Sequence, residues 1–134
     1  MLQFLLTQIS KVKAAISAIN SKIATQTVTP TRNTTNTSKG TIDCVVIAGI
    51  AILTIYATAF STTGDALEVA TGCPKAKQYS SCIANGGNLT RTQQLSSQGN
   101  YFYIDPNGTT LKAGIGTNYS NQDHYAVLVY PVAD

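Results

Sequence analysis

Residues 41–60 read Thr-Ile-Asp-Cys-Val-Val-Ile-Ala-Gly-Ile-Ala-Ile-Leu-Thr-Ile-Tyr-Ala-Thr-Ala-Phe, and half of these twenty positions are Val, Ile or Thr. As a helix the run is barely long enough to cross a bilayer, and the five bases before it would set the N-terminus on the cytoplasmic side. As β-structure it is better matched, because Asp43, Gly49, Thr54 and Thr58 weaken a membrane helix while β-branched side chains suit a pleated sheet. The segment therefore predicts two strands broken at Gly49. From residue 50, alternation puts Ile50, Ile52, Thr54, Tyr56, Thr58 and Phe60 on one face and Ala51, Leu53, Ile55, Ala57 and Ala59 on the other. Both faces are largely apolar. Such a strand needs cover on both sides, from the core of its own subunit and from a neighbouring copy.

A second apolar pattern precedes it. Leu2, Leu5, Ile9, Val12, Ile16, Ile19 and Ile23 recur in alternating steps of three and four, with Gln3, Ser10, Lys11, Lys13, Ser17, Asn20 and Lys22 between them. This is a heptad seam on a helix, and one helix cannot bury it alone. β-branched residues at both seam positions favour three chains over two, so residues 1–25 are expected to form an oligomeric, trimeric coiled coil. The competing reading is an amphipathic helix packed on its own domain. Residues 26–40 are rich in Thr and Asn, have no period, and contain Pro30, which disfavours helix at Thr29. They are expected to be a linker.

The remainder, 41–134, reads as a β domain. Thr63-Gly64-Asp65 and Gly72-Cys73-Pro74 are breaks, Ala66–Ala70 is a short strand, and Asn85-Gly86-Gly87-Asn88 is a loop. The clearest hairpin joins Tyr101–Ile104 to Thr109–Ala113 through Asp105-Pro106-Asn107-Gly108, with Pro106 presetting a type I turn and Gly108 expected to take the positive φ. His124 to Val132 is a strong final strand. The fold class is thus α+β: an N-terminal coiled-coil helix and a C-terminal antiparallel β-sandwich.

Charge and chemistry exclude much. Charged residues make up 11% of the chain, against roughly 25% in an ordinary soluble domain. Residues 1–40 hold five bases and no acid, and the rest holds four bases and six acids, so the halves carry +5 and −2. The N-terminal bases are scattered rather than clustered, which argues against a nucleic-acid partner. The N-terminal ten residues lack a charged start, a long apolar run and a small-residue cleavage site, and do not read as a signal peptide. Three cysteines, Cys44, Cys73 and Cys82, are an odd set; Cys73 and Cys82 could pair in an oxidising compartment or remain small buried hydrophobes. His124 is the single histidine, so no metal site and no cofactor are expected. No nucleophile elbow, zinc motif, phosphate loop or paired carboxylates appear, and no enzymatic activity is expected. The five Asn-x-Ser/Thr sequons, at Asn33, Asn36, Asn88, Asn107 and Asn118, are read as products of composition.

Binding remains. Between Gly114 and Tyr125 lies a loop with Asn118, Tyr119, Asn121, Asp123 and His124, which combines an aromatic face with planar hydrogen-bonding groups and is the candidate ligand-contact surface; an ordinary loop between two strands is the plainer alternative.

The chain resembles tail fibre and receptor-binding proteins of tailed bacteriophages, which begin with a short helix and end in a compact β head. The resemblance is carried by Leu67-Glu68-Val69-Ala70-Thr71-Gly72-Cys73-Pro74-Lys75 and by Gly99-Asn100-Tyr101-Phe102-Tyr103-Ile104-Asp105-Pro106-Asn107-Gly108-Thr109-Thr110-Leu111. It departs from the first pattern at Cys73, where an aromatic is usual, and lacks a basic residue before Pro74. The resemblance implies a homotrimer in the virion tail, assembled in the host cytoplasm with reduced thiols, contacting tail or baseplate proteins and a host cell-surface ligand such as a glycan. The rival is a membrane-anchored or pilin-like surface subunit with 42–60 as a hydrophobic helix and Lys39-Gly40 as the end of a leader. Val45 stands where such a pilin carries an acid, which weakens it.

Overall fold

The computed structural model describes residues 1–86, 100–116 and 121–134. Helix α1, Leu2–Ile23, is 22 residues and so about 33 Å long. It ends where Ala24 turns to extended backbone, the Ala24 N–H donating to the Asn20 carbonyl. Every α1 residue whose side chain is described is exposed. The seam from Leu2 to Ile23 is therefore bare, with Ile9 and Ile16 each 51% exposed, and the helix does not pack on its own domain.

The strands are β1 Gln26–Val28, β2 Thr31–Arg32, β3 Thr37–Ile47, β4 Ile50–Phe60, β5 Gly64–Thr71, β6 Ser80–Ile83, β7 Asn85–Gly86, β8 Tyr101–Ile104, β9 Leu111–Ile115 and β10 His124–Pro131. They form two antiparallel five-stranded sheets, ordered β1-β3-β4-β10-β7 (sheet A) and β2-β5-β9-β8-β6 (sheet B). Leu53, Ile55, Leu128 and Tyr130 from sheet A and Val69, Phe102, Ile104 and Leu111 from sheet B are all essentially inaccessible and belong to one core cluster. Burying side chains of this size contributes about 1.5–3 kcal/mol each. The Tyr130 hydroxyl is satisfied within the core by donating to the Pro74 carbonyl at 2.7 Å.

Residues 42–60 are strands, as their β-branched composition requires, and the hydrophobic helix of the rival reading is not formed. The hairpin turns at Ala48-Gly49, with φ of 51° and 77°; two positive angles in succession match the right-handed strand twist, and Gly49 adopts its angle without steric cost. Among the described residues no helix is long and apolar enough to cross a membrane.

Three expectations are corrected. First, the alternation along β4 holds only to Tyr56: Ala51, Leu53 and Ile55 point inward, but Phe60 is fully buried instead of sharing the outer face. The cause is a bulge at Ala57 (φ 46°). His124 and Ala126, two apart on β10, pair with Thr58 and Ile55, three apart on β4, so one extra residue reverses the phase. Second, residues 26–40 are not a linker. Gln26–Val28 pairs with β3 in sheet A, Thr31–Arg32 pairs with β5 in sheet B, and Thr37 opens β3. The polar side chains create this order: Asn33 Oδ1 accepts from the Thr35 and Asn36 N–H groups, Asn36 Nδ2 donates to the Glu68 carbonyl, and the Arg32 guanidinium donates to Thr37. Third, in the Asp105–Gly108 turn the positive φ falls on Asn107 (61°), as a type II turn demands, and the Gly108 N–H closes it on the Asp105 carbonyl at 2.9 Å.

All three cysteines are free thiols. Burial pushes Cys73 and Cys82 up to about 11, so their thiolates are disfavoured.

Candidate receptor-contact surface

Of the five residues expected to contact a ligand, Asn118 and Tyr119 lie outside the described residues. The other three have separate roles. Asn121 is exposed, with φ 64° and its N–H donating to the Phe60 carbonyl at 2.8 Å, so its backbone is anchored while its carboxamide faces solvent. Asp123 forms an ion pair with Lys39 at 2.7 Å, which raises the lysine pKa; the lysine side chain is largely solvated and that of Asp123 is partly buried.

His124 cannot contact a ligand, because it is completely buried. The Thr58 carbonyl is only an acceptor, so Nδ1–H donates to it at 3.2 Å; Nε2 then accepts from Asn100 Nδ2 at 2.7 Å. The orientation of Asn100 is fixed in turn because its Oδ1 accepts from the Gly116 N–H at 2.8 Å. The Phe60 ring meets the imidazole edge-on, with centroids 5.4 Å apart. One neutral imidazole thus ties together β4, β10 and the chain at Asn100 and Gly116.

Burial lowers the His124 pKa below its ordinary 6.5, against weaker opposing effects of the Thr58 and Gln122 carbonyls and Asp123. Below 6.5 the unfolded chain binds a proton that the folded chain resists, so stability falls as pH drops through that value and continues to fall until the folded imidazole titrates. The loss is at most about 1.4 kcal/mol per pH unit. Urea midpoints between pH 8 and 5 should show this slope, and His124→Gln should remove it; an unchanged slope in that variant would assign it to other groups.

Two further surfaces are assembled from several strands. On sheet A, the outward side chains of β3, β4 and β10 include Ile47, Ile50, Tyr56, Val127 and Val129, each between 38% and 59% exposed, with Tyr56 and Tyr125 packed edge to face at 5.2 Å. On sheet B, Tyr103 pairs across strands with Ser81 and Lys112, and Lys112 with Glu68; Tyr101 pairs with Ile83 and Gly114. Tyr79, Tyr103 and Tyr101 follow one another with ring centroids 5.9 and 5.7 Å apart, and Lys112 binds Asp105 at 3.1 Å. The Tyr-x-Tyr spacing in β8 signals that two rings share a face, but Gly114 and Asp65 beneath them are brought there only by the fold.

A helix followed by a two-sheet antiparallel head is the architectural class that these observations define. Among solved structures, the fold is similar to the head domain of phage bIL170, which was presented in asking whether receptor-binding domains of lactococcal phages share a common fold. The TM-score is 0.53 with 15% identical residues, over 82% of this chain and 100% of that one, so the likeness is one of fold. No protein-family model matches the sequence, and no curated protein matches it.

Proposed function

We propose that the chain is a phage tail-fibre-type protein that attaches a virion to its host through a trimeric β head. The observation that carries this reading is the fold likeness, which spans the whole of a phage receptor-binding head domain. The expected homotrimer is supported by two bare surfaces: the helix seam from Leu2 to Ile23 and the largely apolar outer face of sheet A. Contiguous exposed apolar surface of this kind marks an interface, and three chains around one axis would cover both the helix stripe and the second face of β4. Tail or baseplate proteins would hold the stalk, and three linked heads would gain avidity for a weak cell-surface ligand, a glycan in this reading. The membrane-anchored alternative required a helix over 42–60, which is instead β3 and β4.

The test is direct binding. Fluorescently labelled full chain should be retained on intact lactococci or related Gram-positive cells and released by cell-wall polysaccharide from the same cells. Failure to bind across such a panel would overturn the attachment reading.

A further inference from the structure

We propose that the outer face of sheet B is a saccharide platform on which Tyr79, Tyr103 and Tyr101 stack against a neutral oligosaccharide. The arrangement of the rings carries the inference. A side chain at Gly114 would collide with the ring of Tyr101, so that ring occupies the space over the glycine and lies along the sheet. The hydroxyls of Tyr101 and Tyr103 both reach across β9 to the Asp65 carbonyl, at 3.5 and 3.3 Å. Rings spanning from β8 over β9 to β5 lie down on the backbone, with one face against the protein and the other toward water. Their planes are tilted by only 31° and 35° along the row, and Tyr79 at its end is 52% exposed. Successive centroids stand close to the repeat of one hexose ring along a chain, so consecutive sugars could each present a C–H face to one ring.

The polar groups beside the row choose the ligand. The Lys112 ammonium offers donors and its partner, the Asp105 carboxylate, offers acceptors for vicinal hydroxyls. Among the described residues, the charged side chains placed beside the row are Lys112 with Asp105 and Glu68, and the exposed Lys77 two residues before Tyr79. That near-balanced set lacks the basic flanks that a nucleic acid, which also stacks on aromatics, needs, and offers no cationic cluster to an anionic polysaccharide. A protein partner is better served by the outer face of sheet A, where Ile47, Ile50, Val127 and Val129 supply apolar surface and fewer hydroxyls must be satisfied on burial. A neutral sugar matches both the amphipathic rings and surroundings with no cluster of one charge.

The inference rests on the attachment reading for its biological role, and the test separates the two. The full chain is applied to an array of defined neutral, N-acetylated and anionic oligosaccharides, with affinities of the hits measured by calorimetry. The wild type should bind neutral members and ignore sialylated, phosphorylated or sulfated ones. Tyr101→Ala and Tyr103→Ala should each weaken binding at least tenfold, while Tyr103→Phe, which keeps the ring face, should stay within about threefold. Gly114→Val, which lifts the Tyr101 ring, should weaken binding with all tyrosines present, and melting curves identify any variant that fails to fold. Binding confined to anionic glycans, no glycan binding, or full affinity in folded Ala variants would each overturn the platform. Wild-type retention on cells that persists in the Ala variants would overturn the platform and leave attachment standing.

Discussion

For the homotrimer proposed above, the double substitution Ile9→Asn/Ile16→Asn is expected to reduce the mass of the protein in solution from about 42 kDa, three times the chain's 14.1 kDa, to that of one chain. Both residues sit mid-seam on a helix whose described side chains are all exposed, and each is half exposed in the single chain. In a three-stranded coil each would be enclosed by its counterparts, and burying one isoleucine contributes about 1.5–3 kcal/mol. Asn at two layers in each of three chains removes six such contributions and buries carboxamides at the axis. Light scattering on the purified full chain reads the outcome directly. An unchanged trimer mass would show that the seam is not the assembly element and would shift that role to the outer face of sheet A.

Phe102→Ala is expected to have the largest effect on the stability of the head. Its ring is fully buried at the meeting of the two sheets and lies 6.0 Å, centroid to centroid, from Phe60. Removing a buried phenyl costs about 3–5 kcal/mol, because the lost burial is compounded by a cavity that the sheets cannot collapse to fill. Domains of this size are stable by about 5–15 kcal/mol in total, so the variant should unfold at a much lower urea concentration with an unchanged dependence on denaturant. The comparison is made at one chain concentration, since assembly links stability to concentration. A loss below about 1 kcal/mol would mean that the core does not close around this ring.

How much was legible in the sequence depended on whether a feature is local. The strands at 42–60 were readable because β-branched density and Gly49 act on the nearest backbone, and the helix seam because its period lies within one element. The bulge at Ala57 was not: alanine carries no signal for a positive φ, and the residue is left unpaired there by the pairing of its neighbours with both β3 and β10. Residues 33–37 misled because Asn and Thr mark loose linkers and also turns capped by their own side chains. The same limit applied to the site. His124 in a polar loop suggested an exposed ligand contact, whereas Asn100 and Thr58, distant in sequence, make it a buried strut. The tyrosine row was half visible as Tyr-x-Tyr in β8; the glycine that lets one ring lie flat belongs to the neighbouring strand.

The course of the chain just after the helix has a mechanical consequence. Within nine residues of Ile23 the backbone joins the edge of sheet A at Gln26–Val28 and the edge of sheet B at Thr31–Arg32. Tension applied along the helix is therefore carried into both layers of the sandwich through backbone hydrogen bonds, rather than concentrated on a slack tether. A head anchored in this way would follow the orientation of its stalk under drag and transmit a pull at its surface back along the axis.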